Sequence, residues 1–110
     1  MLFRSVLARR LLRACLYLQT RRAKTIAIYG AGTHTRSLLQ WGLPDTFELA
    51  AIVDTRSLAT LQSTNVDAVL LSSASFESDM AEHAKQNGVR NVIALYGDWP
   101  RDMWVVGATA

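Results

Sequence analysis

Thr25-Ile-Ala-Ile-Tyr-Gly-Ala-Gly-Thr-His-Thr-Arg-Ser-Leu38 is the stretch that decides the fold. Ile26 to Tyr29 is a short, β-rich apolar run, the pattern of a central parallel strand covered on both faces. Gly30 and Gly32 follow, and neither carries a Cβ to block a positive φ or the approach of a ligand. A helix beginning near Thr33 would aim its unpaired N–H groups and its positive dipole end at the same bend, where an anion is favoured.

Downstream, the pattern repeats. Thr33 to Trp41 keeps a helical spacing, with Leu38, Leu39 and Trp41 as the sheet-facing residues and Gly42 and Pro44 as the stop. Glu48 to Val53 reads as a second strand and ends in Asp54, 22 residues beyond Gly32. An acidic group at that position and distance suits the hydroxyls of a ribose. Residues 55–65 hold a turn of helix around Leu58 and Leu61. Val66 to Leu71 is a third strand, with Ser72 and Ser73 at its carboxyl end, where hydroxyls can donate to a phosphate or sugar. Ser75 is placed to cap a helix from Phe76 to Gln86, with Glu77 and Asp79 in its first turn and Gly88 after its end. Asn91 to Tyr96 is a fourth strand, and Met103 to Val106 either adds an edge strand or covers the core.

Strands that alternate with helices imply a parallel sheet with right-handed crossovers. If the third strand lies across the first from the second, a crevice falls over Gly30, Gly32, Ser72 and Ser73, because such sheets bind ligands beyond the carboxyl ends where the strand order reverses.

Length and charge bound the rest. With 110 residues the chain is one folded unit that can bury roughly two thirds of its unfolded surface. Residues 1–24 carry seven basic side chains and no acid, whereas residues 25–110 carry five basic and nine acidic ones. The basicity belongs to one segment, so the high pI does not argue for nucleic acid. In that segment Phe3, Leu7, Leu11, Ala14 and Leu18 form one apolar helical stripe, and Leu2, Val6, Leu12 and Leu16 fall on other faces. Three readings stand side by side: a helix packed on the domain, a second copy or a partner domain; a membrane-surface helix; and an organelle-targeting peptide. Arginine breaks every 18-residue window of residues 1–24, which argues against a membrane span. The single Cys15 precludes an internal disulfide and, without Cys/His company, a metal site; it points to a reducing, cytoplasmic setting.

Residues 25 to 96 resemble the small Rossmann-like module at the front of nucleotide-sugar acyltransferases of the bacillosamine and sialic acid type, also found in some bacterial glycosyltransferases and methyltransferases. Ile28-Tyr29-Gly30-Ala31-Gly32-Thr33-His34, Ala51-Ile52-Val53-Asp54 and Asp67-Ala68-Val69-Leu70-Leu71-Ser72-Ser73 carry the resemblance. It implies a three-layer α/β domain over residues 25–110, with a sheet of four or five parallel strands, preceded by a basic helix in residues 1–24. It also implies a nucleotide or nucleotide-sugar ligand, with Gly30, Gly32 and His34 lining the phosphate and Asp54 at the ribose or its surroundings; Ala31 and Thr33 of the same turn, and Ser72 and Ser73 at the end of the third strand, complete the candidate site. Thr35 stands where dinucleotide enzymes have their third glycine, which weakens an NAD(P) reading. The β-helix that performs acyl transfer in the acyltransferases, and its catalytic histidine, are absent from this chain.

Three functions follow as expectations: a nucleotide-binding module without complete catalytic machinery, a fragment of an NAD(P)-dependent oxidoreductase, or an interaction domain that has lost its ligand. A unit of four strands is half of the usual dinucleotide fold, so a partner or a larger parent protein is expected to complete it.

Overall fold

A computed structural model describes residues 2–30, 32–42, 45–62, 65–73, 75–96 and 104–106. The elements run α1 (Leu2–Thr20), β1 (Thr25–Tyr29), α2 (Thr33–Trp41), β2 (Glu48–Val53), a 3-10 turn (Leu58–Gln62), β3 (Ala68–Leu71), α3 (Glu77–Gln86), β4 (Val92–Ala94) and β5 (Trp104–Val106). Pro44, Trp99 and Met103 lie outside the described residues.

The sheet order is β2-β1-β3-β4-β5. β1 pairs in parallel with β2 on one side and β3 on the other, and β3 pairs in parallel with β4. The fifth strand departs from an all-parallel sheet: β5 runs antiparallel to β4, with Ile93 opposite Trp104. Nine residues separate Ala94 from Trp104, fewer than the dozen or more that a crossover to a parallel strand needs.

Side chains of a strand alternate between faces, and the two core clusters sort accordingly. Ile26, Ile28, Ala68, Leu70 and Ile93 join Leu7, Leu11, Ala14, Cys15 and Leu18 of α1 and Leu38 of α2. Ala27, Tyr29, Val69, Leu71, Val92 and Ala94 join Leu58, Leu61 and Ala84 on the opposite face. Both faces of β1 and β3 are therefore dry, which is why these strands are continuous apolar runs.

The ends of the helices follow from local chemistry. Arg22 takes φ 60° after α1, and the Ala23 N–H donates to the Leu18 carbonyl and the Arg22 N–H to the Gln19 carbonyl, a Schellman closure. Gly88, φ 70°, closes α3 the same way, with Val89 N–H on the Ala84 carbonyl. α3 begins without a hydrogen bond from Ser75: the Ser73 hydroxyl oxygen instead accepts the N–H groups of Ser75 and Phe76, at 3.2 and 2.9 Å. Asp67 ties the start of β1 to the start of β3 by accepting the N–H groups of Lys24 and Thr25, at 2.7 and 3.1 Å.

Of the apolar stripe expected on α1, Leu7, Leu11, Ala14 and Leu18 are at most 4% exposed, whereas Leu12 and Leu16 on other faces are 59% and 54% exposed; the side chain of Phe3 lies outside what is described. Packing against the sheet thus accounts for one side of this helix. Burial also pushes the Cys15 thiol up to about 11, so it sits in the core as an un-ionised apolar group. Leu39, expected to face the sheet, is 38% exposed, whereas Leu38 turns fully inward; the side chain of Trp41 lies outside what is described. Among the described residues no helix is long and apolar enough to cross a membrane.

Leu18→Ala should cost about 2–5 kcal/mol, because it leaves a cavity beneath α1. Leu12→Ala should change stability by less than about 0.5 kcal/mol. Urea unfolding of the two variants reads the difference.

Candidate functional site

The bend after β1 is built around one tight approach. Gly30 has φ +131°, and a Cβ placed on it would lie 2.6 Å from the Ser72 carbonyl oxygen. Its glycine is thus required by the neighbouring strand end as well as by the turn. Gly30 N–H donates to the Val53 carbonyl and Ser72 N–H to the Tyr29 carbonyl, so the carboxyl ends of β2, β1 and β3 are stitched together at this point. Gly32 is different. It precedes α2 with φ −96°, no side chain caps the helix there, and a Cβ on it would meet nothing within 4 Å. A turn alone does not require glycine at 32, and the space before it is open.

Thr35, at the expected third-glycine position, is buried and donates its hydroxyl proton to the Gly30 carbonyl. Its oxygen also lies 2.7 Å from Ser72 Oγ. Ser72 Oγ in turn is 2.8 Å from His34 Nδ1, and His34 Nε2 is 2.7 Å from the Tyr96 hydroxyl. One arrangement uses each proton once: Tyr96 O–H donates to Nε2, Nδ1–H to Ser72, Ser72 O–H to Thr35, and Thr35 to Gly30. That arrangement needs a neutral imidazole. Desolvation by burial holds His34 below its ordinary value, in the same direction. The ring also meets Tyr96 edge to face, with centroids 5.5 Å apart. Tyr96 is itself held by Glu77, whose Oε2 accepts the Tyr96 backbone N–H at 2.8 Å; burial raises the Glu77 carboxyl above its usual range.

On the opposite face of the sheet a crevice of about 430 Å³ opens over the strand ends, lined by Tyr29, Gly30, Asp54, Thr55, Ser72 and Ser73 and by Phe76, Asp79, Met80 and His83 of the α3 region. Asp54 is exposed. Its Oδ1 accepts the N–H and the hydroxyl of Ser57, each at 3.0 Å, and these bonds hold its carboxyl below the ordinary aspartate value. Asp54 therefore closes the turn that leads into the 3-10 segment while also facing the crevice. The Tyr29 hydroxyl is fixed 3.1 Å from Thr55 Oγ1, and Phe76 is 64% exposed at the rim.

Of the residues read from sequence as a ligand site, Gly30, Asp54, Ser72 and Ser73 line this crevice. Gly32 and Thr33 sit exposed at the start of α2, and His34 turns into the network with Ser72 and Tyr96 rather than into the crevice lining. Ala31 lies outside the described residues. Thr35, Tyr96, Phe76, Asp79, Met80 and His83 were not foreseen as parts of this region. Their side chains reach it through tertiary packing, and only the spacing of Phe76, Asp79, Met80 and His83 along one helical face hinted at a common surface. Among the described residues no group of three or more His, Cys, Asp or Glu is disposed to hold a metal ion.

Compared with models of known protein families, with curated proteins and with solved structures, the chain has no significant match.

Gly30→Ala should destabilise by about 1–3 kcal/mol, from the positive φ and the Ser72 clash together. Gly32→Ser should be neutral or slightly stabilising, since a hydroxyl there can cap α2. Chemical denaturation of both variants checks the contrast.

His34 also sets a pH response. Its folded value is depressed below about 6.5, so the unfolded chain binds the proton more readily, and this contribution to stability is complete above that value and is lost as pH falls below it. The melting temperature of wild type should therefore drop more between pH 7.5 and pH 5 than that of His34→Gln. Equal drops would mean that His34 carries no such linkage.

Proposed function

We propose that this chain is a Rossmann-like module that binds a nucleotide or nucleotide-sugar at the carboxyl ends of β1, β2 and β3, without a complete catalytic set of its own. The observation that carries this reading is the strand order, in which β2 and β3 flank β1 and open a crevice over Gly30, Asp54, Ser72 and Ser73. Chains leaving β1 and β3 turn to opposite sides of the sheet at this point, and open α/β sheets bind ligands at such a reversal.

The chemistry of the lining divides the ligand. Asp54 and Asp79 make the crevice unsuited to phosphate, and suited to the neutral part of a nucleotide, whose hydroxyl and amino groups donate. The exposed ring of Phe76 offers a face for a base. The phosphate then belongs outside the crevice, toward Gly32, where space is open and the first N–H groups of α2 have no side-chain cap.

One observation favours a second reading, an interaction domain that has lost its ligand. Ser72, His34, Thr35 and Tyr96 satisfy one another at the bend, so these side chains need no guest. A fragment of an NAD(P)-dependent oxidoreductase gains no comparable support, because Thr35 replaces the third glycine and the hydroxyl of Tyr96 is engaged by His34.

Thermal unfolding of the whole chain with UDP, CMP, NAD or coenzyme A separates these readings. A ligand at one hundred times its dissociation constant should stabilise by about 2.7 kcal/mol, a rise of several degrees for a domain of this size. Gly32→Val should abolish the shift by filling the phosphate approach while leaving the unliganded melting point near that of wild type. Asp54→Asn should weaken it. No shift with any nucleotide would favour the interaction domain, and turnover of NADPH would favour the oxidoreductase.

A further inference from the structure

The first acid in the chain is Asp45: residues 1–44 hold eight of the twelve basic side chains and none of the nine acidic ones. The fold turns that run into a surface. α1 and α2, both drawn from it, share one face of the sheet, where Leu7, Leu11 and Leu18 of α1 join Leu38 of α2. α3, which carries Glu77, Asp79 and Glu82, packs on the other face through Ala84. The helices of one layer are therefore cationic and free of acid, and the helix of the opposite layer is acidic.

The cationic layer is also apolar on its outer side. Leu12 and Leu16, one turn apart and turned away from the buried stripe of α1, are 59% and 54% exposed. Arg9 and Arg13, three residues before each of them, are exposed on the same side. α2 repeats the spacing with exposed Arg36 and with Leu39, 38% exposed. A solitary exposed leucine is ordinary. Three of them, each three residues after an arginine and all in an acid-free layer, combine the two attractions of an anionic lipid surface.

The nearest acids do not cancel this charge. Gln19 Nε2 donates to Thr46 Oγ1 at 3.2 Å, so exposed Asp45 and Glu48 lie by the end of α1, where Arg21, Arg22 and Lys24 also stand. Half-buried Glu77 accepts the Tyr96 N–H and has Arg10 as a neighbouring charge. Asp98 and Asp102 lie outside the described residues.

We propose that the folded domain docks by its α1–α2 layer on an anionic phospholipid bilayer, with the arginines of these pairs at the headgroup phosphates and their leucines at the boundary with the acyl chains. A guanidinium binds phosphate while its stem lies along apolar surface, so the two residue types can alternate on one side of a helix that lies flat on lipid. A nucleic acid would take up the arginines and leave the leucines in water. The inward stripe of α1 stays on the sheet, and no described helix can span a bilayer, so the contact is peripheral. The proposal does not rest on a bound nucleotide.

Cosedimentation of the full chain should show binding to vesicles containing phosphatidylserine, little to pure phosphatidylcholine, and loss at high salt, which screens exposed charges. Arg9→Gln and Arg36→Gln should each weaken binding about fivefold, whereas Lys85→Gln on α3 should leave it unchanged. Leu12→Ser/Leu16→Ser should weaken it several-fold with little change in thermal unfolding, since both sites are exposed. A polarity-sensitive dye on Leu16→Cys should shift to the blue on the anionic vesicles, and the same dye on Glu82→Cys of α3 should not; buried Cys15 escapes labelling. Absence of binding to anionic vesicles at low salt would overturn the proposal, as would equal binding to neutral ones. Binding that ignores the leucine substitutions, or that prefers duplex DNA or RNA to the vesicles, would overturn it too. Faster reaction of Cys15 with a thiol reagent on vesicles than in solution would show α1 leaving the sheet, and would overturn docking by the folded layer. If the leucine pair failed to fold, the dye at position 16 would still report insertion.

Discussion

The contact between Gly30 and the Ser72 carbonyl fixes how closely the ends of β1 and β3 approach, and much of the molecule is arranged around it. With no Cβ at 30, the two strand ends close to a distance at which Thr35 and His34 on α2 both reach Ser72. The helix is thereby fastened to the sheet by hydrogen bonds at its first turn, and by Leu38 one turn later. A side chain at position 30 would push β3 outward, separate Ser72 from both partners and widen the crevice on the opposite face. Fold and site are consequently not separable here, since the residue that permits the strand packing also forms the floor of the crevice.

That coupling explains which parts were legible in the amino-acid sequence. β1, β2 and β3 were readable because apolar runs bounded by Gly30, Asp54 and Ser72 have no other economical conformation, and their alternation with helical spacing implied parallel pairing. The start of α2 at Thr33 and the closure of α3 at Gly88 followed from backbone chemistry that a glycine announces by itself. The direction of β5 was not legible, because a short apolar run carries no mark of its polarity and depends on where the chain re-enters the sheet. Ser73 in place of Ser75 at the start of α3 is a difference of two residues between equally good capping side chains, settled by how β3 leaves the sheet.

The candidate site was legible in its backbone and illegible in its side chains. Strand order placed Gly30, Gly32, Ser72 and Ser73 at one crevice and spacing added Asp54; all of these but Gly32 are in the lining. His34 was assigned toward a ligand, because its partner Tyr96 is 62 residues away and no local pattern connects them. Thr35 looked like a lost glycine, whereas its hydroxyl provides a bond that glycine cannot. Half-buried His34 and buried Thr35 both meet Ser72, 38 and 37 residues away, and withdrawal from water calls for such partners without revealing which they are.

The position of α1 bears on how the chain matures during synthesis. The apolar cluster to which Leu7, Leu11 and Leu18 belong is completed by Ile93 and Leu95, contributed near the far end of the described sheet. A ribosome therefore releases this arginine-flanked leucine helix long before the residues that shelter it exist, and contacts so distant along the chain form slowly. During that interval the nascent helix presents greasy and cationic groups together, the combination that chaperones and anionic surfaces both capture. Its handling by the cell before folding is set by the order in which the chain emerges, even though the finished protein hides the side that carries Leu7, Leu11 and Leu18.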